Sequence, residues 1–121
     1  MSLYNLFTHL PPDDGAEHFD ILHSTPGVKI ERIVSRGQST PPGEWYDQPH
    51  DEWVVLLTGE AGLLIEGHDT ITMRQGDYVF LPAHCRHRVE WTAPQCESIW
   101  LAVQITPPDG ATSEVSSVND R

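Results

Sequence analysis

The chain has 121 residues, enough for one compact domain and too few for two. Its 18 acidic residues against 7 Lys plus Arg give a formal net charge of −11, which argues against sequence-independent binding to nucleic acid or to an anionic membrane. A hydrophobic share of 38%, with 4 Trp, supports a real core and argues against global disorder.

Leu3, Leu6, Phe7 and Leu10 fit one face of a short helix stopped by Pro11 and Pro12, and Ala16 to Leu22 fits another helical turn. Residues 1–27 are therefore expected to form an N-terminal helical or extended arm. The first Lys or Arg is Lys29, so the positive region of a secretory signal and the Arg of a transit peptide are both missing.

From there the 9 Gly and 10 Pro separate short runs that suit strands. Val28, Ile30 and Val34 alternate with Lys29, Glu31 and Ser35, predicting a half-buried strand that closes at Gly37. Residues 39–43 form a loop, Trp45 to Gln48 is extended, and Pro49 to Asp51 turns. Glu52 to Thr58 reads as a strand ending at Gly59. Leu63 to Ile65 and Ile71 to Met73 flank a turn at Gly67–His68–Asp69, which predicts a hairpin. Tyr78 to Leu81, Arg86 to Trp91 and Ser98 to Ile105 complete the set. Seven or eight short strands predict an all-β sandwich or barrel over 28–105. Residues 106–121, rich in Pro, Asp, Gly, Ser and Thr, read as a disordered C-terminal tail.

Period two assigns faces within the strands. His87, Val89 and Trp91 share an interior face, with Arg86, Arg88 and Glu90 opposite. Glu52, Val54 and Leu56 form one face of their strand, and Trp53, Val55 and Leu57 the other. Both faces of that strand are apolar, so a second layer must cover the outer one. The amino-terminal segment or a second copy of the chain would serve, and a homodimer is expected. The run from Trp53 to Leu57, the densest apolar stretch, falls far short of the ~18 residues of a membrane span. Cys85 and Cys96 are too few for a disulfide scaffold, which fits a cytoplasmic protein with reduced thiols. An interior Glu and an interior His in one small β domain require a chemical explanation.

The run Gly76–Asp77–Tyr78–Val79–Phe80–Leu81–Pro82–Ala83–His84–Cys85–Arg86–His87 resembles the second motif of the cupins, G-x5-P-x-G-x2-H-x3-N. Gly76, Pro82 and His87 match; His84 replaces the second Gly and Trp91 the Asn. The first motif, G-x5-H-x-H-x3–4-E-x6-G, is kept only at Glu52 and Gly59. Tyr46 and Gln48 stand where the family has its two His, and Thr40 where it has Gly. The resemblance covers about Val28 to Ile105 and looks like that of a small single-domain bacterial cupin. It implies an RmlC-like jelly-roll barrel, a fold in which many members hold Fe, Mn, Ni or Zn, and no nucleotide cofactor.

Carried over residue by residue, the resemblance keeps Glu52 and His87 as metal ligands and offers Gln48 and Tyr46 for the remaining positions. An oxygen-rich set such as Gln48–Glu52–His87 would hold a metal less firmly than three His and a Glu. If the turn at Pro49 is slipped, His50 would join Glu52 and His87 in a two-His-one-carboxylate set; His84, three residues before His87, is a further candidate. Each has a plainer alternative: Glu52 paired with Arg86 or Arg88, His87 bonded to a backbone carbonyl, His50 solvated in its turn, His84 bonded locally. Two functions stay open. One is a metal-dependent oxygenase, isomerase or lyase acting on a small molecule, with Tyr46 as acid or base. The other is a metal-free sensor or binding barrel with a degenerate site.

Overall fold

The computed structural model describes residues 1–107, so most of the expected tail lies outside the described residues. Eight antiparallel strands follow in order: β1 (His18–Thr25), β2 (Val28–Ser35), β3 (Asp51–Thr58), β4 (Ala61–Ile65), β5 (Ile71–Met73), β6 (Tyr78–Leu81), β7 (His87–Thr92) and β8 (Ser98–Ile105). They form a five-stranded sheet ordered β1-β2-β8-β3-β6 and a three-stranded sheet ordered β5-β4-β7. This is the expected all-β jelly roll. Leu56, Val54, Leu63, Met73, Leu81 and Trp100 pack between the sheets as its buried core.

The helical amino terminus is not there. No residue of the described chain is helical. Residues 18–25 instead pair with β2 as an edge strand, and the segment before them makes a turn in which the Phe7 amide bonds the Asn5 side chain. The reason lies far along the sequence. Arg32, 8% exposed, sends its guanidinium to the carbonyls of Leu6, Thr8 and His9 and to the Asp20 carboxylate. A buried guanidinium needs acceptors for its five donors, and here it takes carbonyls that a helix would have used. Arg36 holds the Pro11 carbonyl in the same way.

That docking decides which face of β2 turns inward. Val34 is fully buried on the side of Arg32, away from the space between the sheets. Ile33 and Glu31 face inward instead, and both line a cavity. The pairing is consistent: across β2, β8 and β3 one rung joins Ile33, Trp100 and Leu56, and the next joins Glu31, Ala102 and Val54.

Trp91 is a second departure. Gly62 pairs with Trp91 and Leu63 with Val89, so Glu90 is the extra residue of a bulge. A bulge reverses the alternation beyond it. Val89 and Thr92 therefore share the inner face with Leu63 and Ala61, and Trp91 turns outward. A Cβ on Gly62 would come within 2.2 Å of the Trp91 indole nitrogen, so the ring lies directly over the glycine backbone.

Gly59 shows how tightly the sheets are joined. Its φ is +93°, and a Cβ there would lie 2.3 Å from Ser98 Oγ and 2.5 Å from Ser98 Cα. Gly67 has a similar φ of +86° with nothing within 4 Å. Gly67→Ala is therefore expected to cost only backbone strain, about 1–2 kcal/mol. Gly59→Ala adds a backbone collision and should cost at least ~2 kcal/mol more. Urea denaturation of both variants checks the difference, and equal losses would contradict it.

Candidate ligand cavity

The cavity opens between the sheets and holds about 100 Å³ of solvent-accessible space, against the ~10–15 Å³ that one water needs. Val54, Leu63, Leu81, Val89 and Trp100 supply apolar wall, and Tyr46, Gln48, Glu52 and His87 supply polar groups. Four of the residues singled out from sequence are thus brought together. Mostly apolar walls with a few convergent polar groups are the make-up of small-molecule sites.

Glu52 reaches the cavity from the start of β3, paired across the sheet with Gln104 on one side and Leu81 on the other. His87 reaches it from the start of β7. Its backbone exchanges two hydrogen bonds with Tyr46, at 2.8 and 3.1 Å, so the segment before β3 runs beside β7 as a one-residue bridge. The same bridge stacks the Tyr46 and His87 rings, with centroids 5.3 Å apart and planes 22° from parallel. Arg88 holds this segment in place through the carbonyls of Thr40, Pro41 and Glu44. Trp45 lies beneath the guanidinium groups of Arg86 and Arg88.

The imidazole has a defined tautomer. His87 Nδ1 lies 2.9 Å from the Cys85 carbonyl, an oxygen that only accepts, so the proton sits on Nδ1. Nε2 then carries a lone pair, 3.9 Å from Glu52 Oε1. Burial pushes the His87 pKa below its ordinary 6.5, and the Cys85 carbonyl only partly opposes this. Neutral His87 at 3.9 Å is neither ion-paired nor hydrogen-bonded to Glu52.

Burial also pushes the Glu52 carboxyl above its ordinary 4.5, and the Glu31 carboxylate adds to that; Gln104 and Lys29 oppose it. Tyr46 is raised as well, first by burial and then by Glu17, Glu52, Glu44 and Glu31. Its phenol stays protonated near neutral pH and offers a proton rather than taking one. Glu52 is not paired with Arg86 or Arg88, which bind Glu66 and Glu90 instead.

His50 and His84 do not line the cavity. His50 precedes β3; its Nε2 is buried with no partner among the described residues, and burial, helped by Lys29, lowers its pKa. His84 sits at φ +62°, the left-handed conformation for which the motif carries Gly. Its ring bonds Asp47 at 2.9 Å and is mostly exposed, so it stabilises its turn locally. Sequence reasoning missed Glu31, Gln104 and Glu17, which also line the cavity. The alternation in β2 carries the signal for Glu31, whereas Gln104 lies on β8 and Glu17 just before β1, where no motif marks them.

A divalent ion is tested against these donors. His87 Nε2 is free to bind one, Glu52 is nearby, and the Gln48 amide oxygen lines the same cavity. Among the described residues no group of three His, Cys, Asp or Glu is clustered for a metal. The set reaches three donors only through the neutral amide, which fits a loosely held ion.

The comparisons agree with this architecture. A structure from Ralstonia eutropha, provisionally named a mannose-6-phosphate isomerase, is 46% identical, covers 88% of this chain and 100% of its own, and superposes with a TM-score of 0.85. A cupin superfamily protein from Desulfitobacterium hafniense superposes at 0.68 with 17% identity, over 81% and 84% of the two chains, and shares the fold. Among curated proteins, the 3-hydroxyanthranilate 3,4-dioxygenase of Brucella anthropi is 34% identical over 79 residues, 60% of this chain and 41% of the enzyme. The same enzyme from Shewanella woodyi is 38% identical over 72 residues, 56% and 36% of the two chains. The chain therefore spans less than half the length of these enzymes. The cupin domain family model matches residues 32–104, more than half of the chain, and the protein belongs to the cupin family.

Proposed function

We propose that this cupin binds a small organic molecule in the barrel with the help of a weakly held divalent ion. His87 and Glu52 are its principal ligands, and the Gln48 amide oxygen is the third. The observation that carries the reading is the His87 tautomer: the Cys85 carbonyl fixes the proton on Nδ1 and leaves Nε2 open toward Glu52. When bound, such an ion supplies Lewis acidity and a template for chelating ligands.

This chain's own residues do the rest. Tyr46, stacked on His87 and kept protonated, donates a hydrogen bond or proton to the bound molecule. Val54, Leu63, Leu81 and Trp100 exclude water from its apolar part. Oxygenase chemistry is in keeping with the dioxygenase relatives, and isomerase or lyase chemistry uses the same donors. The acidic composition and the two unpaired cysteines support a cytoplasmic setting, with no nucleic-acid or membrane partner. No helix among the described residues is long and apolar enough to cross a membrane.

Titration of chelator-treated protein with Mn²⁺ tests the metal directly. Wild type is expected to bind with saturable, modest affinity. Glu52→Gln and His87→Ala are each expected to lower it by about tenfold or more while keeping the folded circular dichroism spectrum. A wild-type protein that binds no ion on reconstitution would instead leave a metal-free binding barrel. The lack, among the described residues, of three clustered His, Cys, Asp or Glu side chains favours that second reading.

The homodimer belongs to the same proposal. The outer face of the large sheet carries Trp53, Val55 and Leu57 with Phe80, Leu101 and Val103, all only half-buried. The amino-terminal segment docks instead over Arg32. An apolar face of this breadth suits a second copy. Sedimentation equilibrium at micromolar concentration is expected to give twice the 13.6 kDa chain mass; the monomer mass would contradict it.

A further inference from the structure

Every formally charged side chain on the cavity wall is acidic or His87. Glu17, Glu31 and Glu52 line it, and no Lys or Arg does so. Glu17 is accounted for by Ser35, whose hydroxyl donates to it, and Glu52 by the metal reading above. Glu31 is used by neither. Its residue is 8% exposed. One oxygen takes a long 3.4 Å hydrogen bond from the Gln104 amide. The other lies 3.9 Å from Lys29 Nζ, on a side chain 39% exposed that does not line the cavity.

The sheet register says what surrounds Glu31. Its own rung continues through Ala102 to Val54, so the neighbour on β8 is a side chain of one carbon that leaves space beside the carboxylate. The adjoining rung is Phe19, Ile33 and Trp100, and all three line the cavity. A carboxylate with room beside it therefore adjoins a flat apolar wall. Carboxylates sharing a low-dielectric cavity repel one another. Lys29, at 3.9 Å from Glu31, offsets one of the three carboxylates, so without a divalent ion the cavity wall keeps an excess of negative charge.

We propose that Glu31 recognises a cationic group, and that the ligand class is a small organic amine with a flat apolar body. The ammonium sits at Glu31 beside Gln104, and the body lies along Phe19, Ile33 and Trp100. The aromatic rings add attraction for the cation through their faces. The inference rests on the cavity being a ligand site but not on a metal being present in it.

Three probes of one shape and different charge test the idea: benzylammonium, benzyl alcohol and benzoate. Each is titrated at neutral pH into chelator-treated full-length protein, followed by Trp fluorescence and ligand-observed NMR, and again with Mn²⁺ added. Benzylammonium is expected to bind about tenfold more tightly than benzyl alcohol, and benzoate most weakly. In Glu31→Gln the cation's advantage over benzyl alcohol should shrink to about twofold or less. Benzoate binding as tightly as benzylammonium would overturn the proposal, as would an advantage that survives Glu31→Gln. Failure of all three probes to bind at millimolar concentration would overturn it too. Should the variant fail to fold, the wild-type ranking alone decides. A protein that binds no Mn²⁺ but keeps the ranking would defeat only the metal reading.

Discussion

The His87 imidazole is divided between the backbone and the cavity, and the chemistry of the barrel depends on that division. One nitrogen is committed to the Cys85 carbonyl in the turn that follows β6, and the other is left as a lone pair among apolar walls. Burial keeps the ring neutral, so the lone pair is available near neutral pH. Without the Cys85 bond the ring would be free to choose the other tautomer and would present a proton to Glu52. The two-bond backbone bridge to Tyr46 brings the phenol against the ring, where the two stack. A backbone detail in one turn thereby sets the character of the whole polar end.

The cavity exists because two strands contribute carboxylates from opposite sides of β8. Glu52 enters from β3 and Glu31 from β2, with Gln104 and Ala102 on the strand between them. Long side chains at those two β8 positions would fill the space, whereas one carbon at 102 and an amide at 104 leave a polar recess. The arrangement is electrostatically costly at Glu52, where burial opposes the charge and the Glu31 carboxylate adds to that. The amino-terminal segment makes it possible from the far side of the sheet. By giving its carbonyls to Arg32, it buries the face that carries Val34 and turns Glu31 inward.

Much of this was legible in the sequence, for local reasons. Strands β2 to β8 are bounded by turns whose residues announce themselves, such as Gly59, Gly67 and Pro82, and Ser98–Ile105 is predicted to the residue. The motif spacing placed Glu52, His87, Tyr46 and Gln48 in one cavity because it encodes the strand register. What stayed hidden depends on distant partners. Leu3, Leu6, Phe7 and Leu10 have helical spacing, but a guanidinium some 25 positions away claims the carbonyls. In β2 both faces are covered, so alternation reveals a period and not which side is inward. Glu31 was lost for that reason. Trp91 was misplaced because a one-residue bulge at Glu90 leaves no mark in the composition. His50 and His84 share the residue type and spacing of ligands, and only their positions outside the cavity, with His84 in a left-handed turn bonded to Asp47, set them apart.

The account stands or falls on the tautomer of one ring. Two-bond ¹H–¹⁵N correlation spectra of the His87 side chain, recorded near pH 7 on protein freed of metal, report which nitrogen carries the proton. The account predicts a neutral ring protonated at Nδ1, with Nε2 showing the shift of an unprotonated nitrogen. A ring protonated at Nε2, or one fully charged at that pH, would contradict it.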